Sequence, residues 1–488
     1  MLIRPVTNLN LQGLGKNTFV YLVGLILSNA LTFMIFPILA KGLSKGDFGL
    51  LDFYFSVGIF VSVLLAFGID SSIGRFLHEV EEPEARSRLI FQSILIQSIF
   101  IIVIVCTLYI FAELIVISFN SELYNVLIFR LIVMIAGFQA IINFALNLLK
   151  WTFQKWKFIT LSILSAGLSL LCISISIVGY NGNLPEVLDA ILISKILSSL
   201  FGVYLIHNLI SFKILSFDFL ERILKYAWPI GIICTLEVAI PVIERDFILK
   251  FLSTEELGQY AASAKFVAIL AVVVQAFQSA WGPFSLSIRN QEKSNEEYVL
   301  TAKIFVFIIS IFSLILLLFG KFSLILLTST AYQDGWFVIF PMSMSLILQS
   351  IGSITGIGLT ISNRPYIQLI NYLFFVAISF VLINILTKQC GIFGTACAIL
   401  LANAIRVIVI SRISQFFYFV AWPFKTISNI VLLNLFFSTA ITSLLINDFY
   451  FMSCVFFAAS MISITYYFWI YALEDYEKEI IGIAFLKK

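Results

Sequence analysis

Six ionisable side chains inside long apolar stretches of this chain are candidates for chemistry: the cations Arg130, Lys195, Lys265 and Arg406, and the acids Glu237 and Glu244. A charge held in hydrocarbon costs on the order of 3 kcal/mol or more, so each needs a partner, water or a functional reason. Depth separates them. Arg130 comes about four residues into its run, roughly 6 Å at 1.5 Å per residue, where it anchors by snorkelling or serves as a ligand. Lys195 and Lys265 lie roughly 9–12 Å deep, and a lysine stem from there reaches either the interface or a cavity. Arg406 is about fourteen residues in, nearer the middle, and a guanidinium cannot shed its charge. It therefore lines a wet cavity or sits in a buried pair. Anion binding is the chemistry these four cations offer, and they are the candidate substrate ligands.

Glu237 is the most central acid, with Pro241 at i+4 and Glu244 at i+7 on the same helix face. The two glutamates are candidates for coupling to a proton or sodium ion. The alternative is a neutral acid hydrogen-bonded to a neighbouring helix. Pro241 removes a backbone hydrogen bond and gives a hinge beside them. Gln139, Asn143 and Asn147 recur every four residues as a polar stripe. Such a stripe lines a cavity or bonds to adjacent helices, and the second fate is the commoner. Gly352 and Gly356 have the spacing of close helix packing.

Enzyme signatures are absent. There is no Walker-type loop, no His-Glu-x-x-His and no Gly-x-Ser-x-Gly elbow, and the two histidines, His78 and His207, fall on polar connections. The six cysteines lie in or beside apolar runs without metal-ligand spacing, so neither a metal site nor a cofactor is expected. The net charge of +3 gives no reason to expect nucleic acid. A polysaccharide polymerase or similar membrane enzyme would carry a sizeable exterior loop, and every connection here is short.

The elements that must position these groups follow from composition. The chain has 488 residues, 61% hydrophobic and 12% charged, with a mean hydropathy of +1.05. A soluble domain cannot cover its surface with so little charge. The expected class is an all-α polytopic membrane protein. Spanning runs fall at about 18–40, 48–69, 89–112, 126–149, 158–179, 187–210, 226–249, 259–288, 301–329, 335–360, 366–387, 392–418, 425–446 and 449–472, or about fourteen helices. The first run is long enough to remain a helix, so a cleaved signal peptide is not expected. With the N-terminus inside, alternate connections hold twenty Lys and Arg inside against six outside, and four lie within spans. That imbalance puts both termini in the cytoplasm.

Leu43-Ser44-Lys45-Gly46-Asp47-Phe48-Gly49 after the first run resembles Leu252-Ser253-Thr254-Glu255-Glu256-Leu257-Gly258 after the seventh, 209 residues later. Six helices per copy is an even number, so the copies insert in the same sense, as parallel repeats with the substrate path between them. The expected organisation is a six-helix lobe over 1–212, a second over 213–420, and two appended helices with a cytoplasmic tail over 421–488.

Several stretches resemble the Wzx-type O-antigen flippases of the multidrug/oligosaccharidyl-lipid/polysaccharide exporter superfamily. They include Phe36-Pro37-Ile38-Leu39-Ala40, Phe67-Gly68-Ile69, Lys150-Trp151-Thr152-Phe153 and Tyr226-Ala227-Trp228-Pro229. The resemblance continues through Glu244-Arg245, Glu256-Leu257-Gly258-Gln259-Tyr260, Ala276-Phe277, Ala280-Trp281-Gly282-Pro283 and Gly391-Ile392-Phe393-Gly394-Thr395-Ala396. Where the family usually has Asp before the Arg of helix seven, this chain has Glu244, with Asp246 following the Arg. The resemblance implies two six-helix lobes plus two helices. It also implies flipping of an undecaprenyl-diphosphate-linked oligosaccharide across a bacterial inner membrane, in lipopolysaccharide biosynthesis, with cavity cations meeting the anionic head group. Lys195, Lys265 and Arg406 match those cations by helix. A polysaccharide polymerase is the implied partner. The competing expectation is a drug or metabolite cation antiporter on the same scaffold, relying on a deep acid such as Glu237.

Overall fold

The computed structural model describes residues 11–80, 82–118, 125–210 and 217–478. Arg4, Lys213, Lys487 and Lys488, which count toward the cytoplasmic charge, lie outside the described residues. The chain forms two compact units, Met1–Gly258 and Gln259–Lys488. The first holds α1 (Leu11–Gly42), α2 (Lys45–Ala66), α3 (Ile69–Glu79), α4 (Pro83–Ile110), α5 (Ala112–Ser118), α6 (Val126–Trp151), α7 (Lys155–Ser174), α8 (Leu184–Ile206) and α9 (Phe217–Phe251). Helix α10 (Thr254–Ile288) begins there and continues into the second unit, followed by α11 (Ser294–Leu327), α12 (Ile339–Thr355), α13 (Ile357–Ile361), α14 (Pro365–Phe417), α15 (Phe424–Ile446) and α16 (Tyr450–Tyr467).

Twelve of the described helices are long and apolar enough to cross a membrane. One of them, α14, is two spanning helices joined at Cys390 and Gly391, where Gly391 takes φ 60° and ψ −145°. With α1, whose described apolar part is Ile26–Gly42, the crossings number fourteen. Several helices outrun the apolar stretches that announce them. Helix α4 starts at Pro83, six residues before its apolar run, because Pro suits a first turn and Arg86 and Arg88 need no hydrocarbon. The short helices α3 and α5 fall beyond the ends of the expected runs, since neither fills a spanning window, and α13 closes the run expected at 335–360.

In the first unit α2 packs on α6 and α9, and α6 in turn packs on α8. The repeated heptads are capped alike: Ser44 Oγ accepts from the Asp47 N–H and Ser253 Oγ from the Glu256 N–H, each at 3.1 Å. They also meet. A Cβ on Gly49 would lie 2.5 Å from Thr254 O and 2.6 Å from Gly258 N, and one on Gly258 would strike Lys45 O. The far end of α2 approaches α9 as closely. Phe67 and Gly68 turn through positive φ (42° and 72°), and a Cβ on Gly68 would lie 2.5 Å from Ala227 O. The Gly49 contact is to the start of α10; the Gly68 contact, with the packing of α2 on α9, places α9 in the first unit, although the expected repeat counts it with the second half.

In the second unit α12 and the returning half of α14 pack through small residues. A Cβ on Gly352 would sit 3.3 Å from Val407, and one on Gly356 3.2 Å from Ile410. Thr355 and Ser411 hydroxyls pair at 2.7 Å, and Ser414 Oγ accepts from the Gly358 N–H at 3.1 Å. Asn434 of α15 donates to Ser310 O and Ser313 Oγ of α11. Lys303 of α11 and Glu477, 4% and 0% exposed, form a bidentate pair at 2.9 and 3.0 Å that ties down the end of the described chain.

Candidate functional site

In the second unit Arg406 is 8% exposed. Its Cζ lies 4.1 Å from the Tyr372 ring centroid and 4.9 Å from that of Phe375. The two rings stand three residues apart on the outgoing half of α14 and face the returning half that carries Arg406. Its Nη1 is buried with no hydrogen-bond partner, and no acid pairs with it among the described residues. One turn away Asn403 donates to Ser345 Oγ at 2.9 Å. The Asn403 and Asn371 Oδ1 atoms and Ser379 Oγ are also buried and unpaired. Aromatic faces hold the guanidinium flat and partly offset its desolvation, leaving a donor open to an anion or water.

In the first unit Lys195 stands twelfth of the 23 residues of α8. That is deeper than its apolar run indicates, about 16 Å from either end. The difference comes from the start of α8, fixed at Leu184 by a capping box between Asn183 and Glu186. Lys195 lies on the face that buries Ile191, Ser194, Ser198 and Gly202, and it has no hydrogen-bond or ion-pair partner among the described residues. Lys265 is half-buried at the twelfth position of α10.

Arg130 has its own occupation. Its Nε donates to Tyr109 O at 3.4 Å, its Nη2 lies 3.5 Å from Glu113, and its Cζ stands 5.1 Å from the Tyr109 ring. These contacts fasten α6 to the α4–α5 corner, so the geometry is that of an anchor.

The two acids of α9 differ in setting. Glu237 is exposed on α9. Glu244 is buried and accepts from Arg245 Nη1 at 3.0 Å, while Arg245 Nε donates to Asp52 at 2.9 Å. Asp52 is 2% exposed. One guanidinium thus serves two carboxylates. Sequence reasoning missed Asp52, though it stands three residues past Gly49 in an otherwise apolar run. It missed Tyr372 and Phe375 too, which nothing but the hairpin brings to Arg406. The polar stripe of α6 bonds to its neighbours: Gln139 donates to Asn143 at 2.8 Å, Asn143 to Ser62 at 3.4 Å, and Asn147 to Asp70 at 2.6 Å. No group of three or more metal-ligating side chains occurs among the described residues.

Fourteen crossings with isolated cations buried within them define a multi-pass membrane protein. The chain belongs to the polysaccharide biosynthesis protein family, whose model matches residues 14–288, more than half its length. It is similar to the Lsg locus protein 1 of Haemophilus influenzae, 22% identical over 391 residues that cover 78% of this chain and 88% of that one. Its fold is similar to that of the lipid II flippase MurJ in an inward closed conformation, with a TM-score of 0.70 at 16% identity, covering 92% of this chain and 99% of the other. It is also similar to an inward-facing multidrug resistance MATE family transporter of the MOP superfamily, with a TM-score of 0.66 at 16% identity and coverage of 79% and 93%.

Proposed function

We propose that the protein flips an undecaprenyl-diphosphate-linked oligosaccharide from the cytoplasmic to the outer leaflet of a bacterial inner membrane by alternating access. Both termini are cytoplasmic in this reading, the lobes 1–212 and 213–420 rock about the substrate, and residues 421–488 are appended. Family membership and the likeness to a lipid II flippase support it. The observation that carries it is Arg406: a guanidinium in mid-span, with an open donor and no counter-ion among the described residues, is held for an anion that arrives. Lys195 and Lys265 are further ligands for the diphosphate. The polyprenyl tail stays in lipid while the head group crosses. Moving about two negative charges out of a negative interior is favoured by roughly 4–5 kcal/mol at 100 mV. Ion coupling is therefore not electrically required; where it operates, Glu237 is the group that exchanges a proton or sodium ion. A polysaccharide polymerase receives the delivered units.

Replacing the gene with Arg406→Ala should abolish surface polysaccharide at normal protein levels, and Arg406→Lys should retain part of it. Unchanged polysaccharide in Arg406→Ala would overturn the assignment. A second reading, a drug or metabolite cation antiporter, draws on the exposed Glu237 and the multidrug transporter likeness. It requires proteoliposomes to move small organic cations against a proton gradient, with loss in Glu237→Gln and no effect of Arg406→Ala.

A further inference from the structure

The first unit holds a partly open cavity of about 180 Å³ with apolar walls. Helix α2 supplies one wall through Phe53, Tyr54, Val57, Phe60, Val61 and Leu64, a stripe of 3–4-residue spacing. From first to last residue it runs about 16 Å along the helix axis. Leu108 of α4, Ile115 and Val116 of α5, Phe129 of α6 and Val242 of α9 close the other sides. The one polar side chain in the lining, Tyr54, turns its hydroxyl to the Asn125 N–H at 3.1 Å. Water has nothing to bond to here, since a buried water needs two to four polar partners.

We infer that this cavity is a binding site for a phospholipid, with part of one acyl chain in the slot and the phosphate at Arg130. Volume and charge carry the argument. An apolar cavity of roughly 150 Å³ takes up benzene, so this one suits a chain segment of about six carbons. Arg130 follows Phe129 of the lining and bonds to the carbonyl of Tyr109, the neighbour of Leu108. Its one acidic partner, Glu113, is itself solvent-facing and 3.5 Å away, so the guanidinium keeps donors for a phosphate at the start of α6. Ile110, Leu114, Ile117 and Leu127 nearby are all more than half exposed, a surface suited to lipid chains. The inference does not rest on the proposed cargo.

The test uses full-length protein in nanodiscs of phosphatidylglycerol doped with an analogue carrying a diazirine near its acyl terminus. After irradiation and digestion, adducts are expected on the α2 peptide containing Phe53–Leu64 and on α5, above the level at the exposed Ile462 of α16. Val57→Trp, which fills the slot, should reduce these adducts to the Ile462 level; Leu64→Phe serves if that variant fails to fold. Arg130→Ala should lower labelling by the phosphatidylglycerol probe and leave that by a diacylglycerol probe unchanged. No enrichment at α2, or enrichment that survives both filling variants, overturns the site. Stronger labelling by a diazirine polyprenyl phosphate than by phosphatidylglycerol overturns the phospholipid assignment.

Discussion

Arg245 shows how a buried charge differs from an available one. It is 8% exposed, like Arg406, yet its donors go to Asp52, Glu244 and the Pro241 carbonyl. Removing such a cation strands its acids, so Arg245→Met should cost about 3–5 kcal/mol, read as loss of thermal stability in detergent. Asp52→Asn with Glu244→Gln in the same background should recover much of it. Arg406→Met strands nothing and should leave stability near wild type while removing export. The sequence placed Arg406 near the middle of its span by counting residues, while Lys195, read as shallower, stands as deep in α8. It could not tell an unpaired guanidinium from a paired one, since pairing depends on side chains far along the chain, as Asp52 is 193 positions from Arg245.

At the level of helices, the decisive contacts are backbone to backbone. Gly49→Val would push side-chain atoms into Thr254 O and Gly258 N and should destabilise by about 1–3 kcal/mol, with lower yield and earlier melting. A second junction is electrostatic. Lys321 Nζ donates to Asp448 at 2.8 Å and to Tyr450 at 3.1 Å, pinning the α15–α16 turn to α11. Donation from Lys321, then from Tyr450, holds the Asp448 carboxyl below the ordinary carboxylate value. The stabilisation is therefore present above that value and lost as pH falls through the lowered one. A melting curve that weakens below about pH 4 in wild type should be flatter in Asp448→Asn. Hydropathy revealed the spans because lipid demands long apolar helices. It could not reveal α3 or α5, whose lengths of 11 and 7 residues leave no spanning signal.

Across the whole chain, the 209-residue offset relates more than the two heptads. Ser194 shifted by 209 is Asn403, and each is buried and bonded to a serine of a neighbouring helix, Ser169 and Ser345. Lys195 and Arg406 stand 211 residues apart, so the offset places them at neighbouring depths in their helices but, two residues out of register, on different faces. If both serve one anionic head group, Lys195→Ala and Arg406→Ala should each depress export, and Lys195→Arg should retain more than Lys195→Ala. Equal export in Lys195→Ala and wild type would confine the anion site to the second unit. The two heptads and their offset are legible in the sequence, while the pairing of Ser194 and Asn403 with neighbouring serines needed the structure.

The reversal at Gly391 bears on how the protein is made. Its two long helices meet through Thr387-Lys388-Gln389-Cys390-Gly391, and Thr387 and Thr395 join hydroxyls at 2.9 Å across the bend. So short a connection leaves the translocation machinery little to thread between the arms. The pair is suited to entering the bilayer as one hairpin, with Arg406 against its aromatic rings and shielded from lipid.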